Sequence, residues 1–108
     1  MSANREERDA EPVLAIGVQR CASQTILLVA GEIDLATRDQ LRECLAPLHG
    51  NVVVDLSAVT FLDSSGIATI VAQATRMADE GATLKLRGAS SVVARVLHIT
   101  GLDDLILE

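Results

Sequence analysis

Apolar and polar positions change their period several times along this chain, and each change marks a new element. Val13, Ala15 and Val18 begin an extended segment that reaches a turn at Cys21-Ala22-Ser23. Thr25 to Ala30 is nearly all apolar, the pattern of a strand covered on both faces. After Asp34 the period lengthens: Leu41, Cys44, Leu45 and Leu48 recur at helical spacing, and Pro47 and Gly50 close the segment. Asn51 to Leu56 is the most strand-like run of all. Beyond Asp63-Ser64-Ser65-Gly66 a second helix presents Ile67, Ile70, Val71, Ala74 and Ala78 on one side. Arg76, Asp79 and Glu80 fall nearer solvent, and Gly81 stops the helix. Thr83 to Arg87 alternates, as a strand with one wet face does. Ser90 or Ser91 caps a third helix carrying Val92, Val93, Val96 and Leu97, which ends at Gly101. Leu105-Ile106-Leu107 supplies a last short strand.

The order β-β-α-β-α-β-α-β predicts an α/β fold: one layer of mostly parallel, mixed sheet with helices packed mainly on one face. The first two strands are joined tightly enough to form an antiparallel hairpin. In such sheets functional groups collect where strands end and helices begin. Asp34 and Asp63-Ser64 both occupy such junctions, so the two are predicted to be neighbours in space. Asp34 is placed to cap the first helix, its carboxylate taking bonds from free backbone N–H groups and complementing the helix dipole.

Composition narrows the chemistry. A chain of 108 residues is one small domain. Residues 1–12 are polar and charged and read as a flexible tail, and residues 13–108 as the domain. Phe61 is the only aromatic, so the core is built from Leu, Ile, Val and Ala. The absence of Trp and Tyr and a formal charge of -6 argue against nucleic-acid binding. No apolar run approaches the roughly 20 residues that span a bilayer, and no signal-peptide stretch opens the chain. The expectation is a cytoplasmic protein, monomeric when free. Cys21 and Cys44 lack CxxC spacing and read as reduced structural thiols, with no metal or cofactor implied.

A serine at a helix N-terminus between an acidic neighbour and a glycine suits a hydroxyl switched by modification better than one that attacks a substrate. Ser64 lacks the Gly-x-Ser-x-Gly elbow of a hydrolase. His49 sits in a Pro/Gly-bounded loop, and His98 stands late in a helix where an imidazole complements the dipole. No Gly-x-x-x-x-Gly-Lys phosphate loop is present. Ser64 and Ser65 also suit helix capping, as does Asp63, and Gly66 keeps the loop clear for a close approach.

Four segments in order resemble a known family: Gly31-Glu32-Ile33-Asp34, Val52-Val53-Val54-Asp55-Leu56-Ser57, Phe61-Leu62-Asp63-Ser64-Ser65-Gly66-Ile67 and Val96-Leu97-His98-Ile99-Thr100-Gly101-Leu102. Together they are similar to a STAS domain, and most of all to the single-domain bacterial anti-sigma factor antagonists. The likeness runs from about Val13 to Glu108. Many members continue past the last strand into a further helix, and here that strand is expected to be ragged. The resemblance implies a non-enzymatic regulator of transcription that binds an anti-sigma factor with serine kinase activity and so frees a sigma factor. It implies phosphorylation of Ser64, loss of the complex, and reversal by a PP2C-type phosphatase. Asp34, Asp63, Ser64, Ser65, Gly66 and Ile67 would form the partner-binding site. The alternative within the family is a constitutive accessory or scaffold subunit of a transporter or lipid-trafficking complex.

Overall fold

Residues at alternate positions of a strand point to opposite faces, and in this chain one face of every parallel strand is mostly Leu, Ile or Val. The computed structural model describes residues 13–107; the tail assigned to residues 1–12, and Glu108, lie outside the described residues. The strands are β1 (Ala15–Arg20), β2 (Thr25–Ile33), β3 (Val52–Leu62) and β4 (Leu84–Arg87). The helices are α1 (Arg38–Leu45), α2 (Ser64–Asp79) and α3 (Ser91–Ile99), followed by a 3-10 turn at Asp103–Leu105. The sheet order is β1-β2-β3-β4; β1 pairs antiparallel with β2, and the other pairs are parallel. Leu27, Val29, Val54, Leu56, Leu84 and Leu86 meet Leu41, Leu45, Ile70, Met77, Val93 and Leu97 of the helices in one buried cluster. Fully burying one such side chain is worth about 1.5–3 kcal/mol. The mixed sheet with helices on one face is the predicted architecture.

Several details differ from the pattern-based expectation, each for a physical reason. β3 continues to Leu62 rather than ending near Leu56. Its pairing with β2 slips twice, because Leu28 pairs Asp55 but Ala30 pairs Ala58, and Gly31 pairs Val59 but Glu32 pairs Phe61. Each slip inserts one extra residue into β3, so its core-facing residues run Val52, Val54, Leu56, Val59, Leu62 instead of keeping a period of two. In β2, Leu28 is 41% exposed, so the strand is not covered on both faces along its whole length.

The buried stripe of α2 is Gly66, Ile70, Gln73 and Met77, with Val71 and Ala78 exposed. The helix is thus rotated from the predicted face, because Arg76 turns inward. Its guanidinium donates to the carbonyls of Leu45 at 3.1 Å and Leu48 at 3.3 Å, closing the end of α1. Val92 is likewise exposed on α3, which buries Val93 and Leu97. The last predicted strand shrinks to one parallel bridge between Leu86 and Ile106. The N–H groups of Leu105 and Ile106 are used in turn bonds to Leu102 and Asp103, which leaves Leu107 to bond Leu86 at 2.7 Å.

Candidate functional site

The β2–β3 register brings the candidate residues together. Ile33 pairs with Leu62 at the carboxyl ends of two adjacent parallel strands, so Asp34 and Asp63 leave the sheet side by side. The Asp63 N–H donates to the Ile33 carbonyl at 3.1 Å, which ties the junctions directly. The predicted proximity of Asp34 to Asp63-Ser64 is therefore present, and it comes from strand register.

Asp63 is the N-cap of α2. It has extended backbone angles (φ -107°, ψ -174°), and its Oδ1 accepts from the N–H groups of Ser65 at 3.0 Å and Gly66 at 3.1 Å. The Ser65 hydroxyl donates to the same oxygen at 2.7 Å. That hydroxyl is the main reason the Asp63 carboxyl is held below its ordinary range; burial opposes it, and the N–H groups of Gly66, Ser65 and Leu35 add to the lowering. Ser64 is the first residue of α2 and is exposed. Among the described residues, its side chain makes no hydrogen bond. The two serines are thus unequal: Ser65 is committed to the cap, and Ser64 points a free hydroxyl outward beside a carboxylate.

Gly66 is buried where α2 crosses the end of the sheet. A Cβ there would lie 2.6 Å from Ile33 Cγ2 and 2.7 Å from Leu62 Cδ1. The close approach that Gly66 permits is therefore internal to the fold, and Ile67 beside it is partly buried against the core.

Asp34 organises the other junction. Its Oδ1 accepts from the N–H groups of Ala36 at 3.0 Å and Thr37 at 3.2 Å, which is the bonding of a cap, although regular α1 begins only at Arg38. The intervening turn depends on Thr37, 1% exposed, whose hydroxyl donates to the Glu32 carbonyl at 2.7 Å and accepts from the Asp34 N–H at 3.0 Å. Sequence reasoning missed Thr37; its signal was a threonine three places after the capping aspartate. It also missed two apolar residues that the junctions leave in solvent, Leu35 at 68% and Phe61 at 47% exposure. Phe61 faces outward because of the second slip in β3, which alternation does not reveal.

A four-stranded mixed sheet backed by helices, with an aspartate-capped helix opening on a serine at a strand-to-helix junction, defines a small α/β domain. The family described as "Mlab, STAS domain" matches residues 16–108, and the chain belongs to it. The anti-sigma-B factor antagonist of Bacillus subtilis (strain 168) is 36% identical over 81 residues, which cover 72% of this chain and 74% of that protein. Among solved structures, an anti-sigma factor antagonist from Mycobacterium paratuberculosis is similar at a TM-score of 0.77 and 27% identity, with 86% of this chain and 82% of that one covered. The anti-sigma factor antagonist SpoIIAA in its unphosphorylated form has a TM-score of 0.76 at 17% identity, with 86% of each chain covered, and shares the fold.

Proposed function

We propose that this chain is an anti-sigma factor antagonist that works by partner switching, with Ser64 as the switch. The observation that carries the reading is the inequality of the two serines, one hydroxyl held by Asp63 and the other exposed and without a partner among the described residues. The unphosphorylated protein binds an anti-sigma factor with ATP-dependent serine kinase activity, and a sigma factor is released. The kinase transfers the γ-phosphoryl group of ATP to Ser64 Oγ, which loses its proton as ADP leaves. A PP2C-type phosphatase hydrolyses the ester and resets the cycle. This sequence of events belongs in the cytoplasm and involves no direct contact with nucleic acid or membrane. The free protein is a monomer.

A phosphoserine carries about -1.5 to -2 charge at neutral pH. The free N–H groups and dipole at the start of α2 favour that charge, and Asp63 opposes it. The opposing effects leave the fold nearly unchanged while the contact surface gains close to two negative charges. SpoIIAA exists in unphosphorylated and phosphorylated forms, so this fold accommodates a phosphate. The contact surface comprises Asp34, Asp63, Ser64, Ser65 and Ile67 with exposed Leu35 and Phe61, above buried Gly66. Burying a doubly charged group against an apolar or acidic partner costs several kcal/mol, and about 1.4 kcal/mol is already tenfold in affinity.

The test is a quantitative pull-down from lysate of the native host with wild type, Ser64→Ala and Ser64→Asp as baits, each followed by intact-mass analysis. Wild type and the Ala variant are expected to capture a GHKL-type kinase and the Asp variant to lose it. Only wild type should gain a phosphate. Capture of the same transporter or membrane-complex subunits by all three, with no phosphate on any, makes the domain a constitutive adaptor instead.

A further inference from the structure

α1 and α2 lie side by side and leave between them a groove of about 270 Å3 that begins at Ser65. That end is the groove's mouth, and Ser64 is the residue immediately before it in α2. The α2 wall is low, because Ala68 and Ala72 carry only methyl groups, whereas the α1 wall carries Arg38 and Arg42 one turn apart. The other arginines with assigned contacts are used inside the fold. Arg76 closes α1, and Arg87 pairs with Asp55 at 2.8 Å. Arg38 and Arg42 keep side chains that are 44% and 50% exposed, and both face one carboxylate, Asp39, at 3.9 and 3.3 Å. The charged residues lining the groove are thus two guanidiniums and one carboxylate, a net positive lining on a chain whose net charge is -6, although Glu43 stands beside Arg42 on α1.

We propose that this groove seats an acidic segment of the protein partner, its carboxylates on Arg38 and Arg42 and its backbone against Ala68 and Ala72. The inference rests on the partner-switching reading and deepens it by naming the chemistry of the partner. It also supplies the reason a phosphate at the mouth acts strongly. The incoming segment carries the same sign as the phosphate, and at physiological salt charges within about 8 Å of one another are only partly screened. Paired charges at the edge of an interface act mainly on the association rate and its salt dependence.

The experiment is stopped-flow and calorimetric binding of the purified kinase that the pull-down identifies to wild type, Arg38→Gln/Arg42→Gln, Arg38→Glu/Arg42→Glu and Ser64→Asp. Thermal unfolding of each variant is measured alongside as a check on folding. The expected result is an association rate lowered about tenfold or more by the double Glu variant and less by the double Gln variant. The salt dependence should flatten, and binding should return when an acidic residue of the kinase's contact segment is changed to Lys. Unchanged rates and salt dependence in folded double variants, with Ser64→Asp still abolishing binding, overturn the groove assignment alone. Full binding by Ser64→Asp overturns the switching reading, and this inference with it.

Discussion

Gly66 shows how one residue can tie a site to a core. Ile33 is fully buried and Leu62 is 3% exposed, so neither can move aside for an added methyl group. Gly66→Ala is expected to cost about 1–3 kcal/mol, read as a lower urea midpoint at unchanged slope. An unshifted midpoint contradicts the packing argument. Ser64 is different in kind: its exposed side chain supports no described contact, so Ser64→Ala should leave the same midpoint within about 0.5 kcal/mol. The Asp-Ser-Ser-Gly motif was legible as a junction because each residue type has a local reason to be there. Which serine is free was not legible, since either hydroxyl could have turned toward Asp63. The i, i+2 geometry of the cap selects Ser65.

At the scale of elements, the helices are held at their ends. Asp63 satisfies two orphan N–H groups of α2, and Asp63→Ala should cost about 0.5–2 kcal/mol. Arg76 does the corresponding work at the far end of α1, where a guanidinium bound to two carbonyls also accepts support from Gln73 and Glu80. Hydrogen bonds to charged groups contribute about 1.5–3 kcal/mol. Arg76→Ala is therefore expected to lower stability by about that amount, and to speed amide exchange in the last turn of α1 and the loop to Gly50. Exchange unchanged there would show that the end of α1 is held by packing alone. In the sequence Arg76 looked like a solvent residue on a helical wheel. Its true role needs α1 and α2 to lie side by side with their C-terminal ends together, a relation that no single helix encodes.

For the whole molecule, acid is the informative perturbation. Asp55 lies on the sheet face away from the helices, paired with Arg87 across β3 and β4. Its carboxyl is lowered from 3.8 to about 2, first by the Ser57 hydroxyl and N–H and then by Arg87, against the effect of burial. A carboxyl depressed in the folded state contributes its full stability above its ordinary value and loses it as pH falls through the folded value. Asp63 and Glu80 shift in the same direction. Stability should thus decline steadily from about pH 4 to pH 2. Asp55→Asn should be less stable than wild type at neutral pH by up to about 2 kcal/mol, with the gap closing near pH 2. Chemical denaturation at a series of pH values reads this directly, and a gap independent of pH would remove Asp55 as its source.

Sequence alone determined the order of elements as far as α3, the one-sided packing of helices on a mostly parallel sheet, and the two strand-to-helix junctions that carry Asp34 and Asp63-Ser64. These are local matters, set by side-chain period, capping chemistry and turn residues within a few positions of one another. Only the tertiary structure decided the register that sets Asp34 beside Asp63, the two slips that turn Phe61 outward, the inward Arg76 that rotates α2, and the groove lined by Arg38 and Arg42. Each of those depends on residues some 30 places apart meeting across strands or helices. Such meetings are fixed by how the whole core closes, and the local pattern at either partner does not contain them.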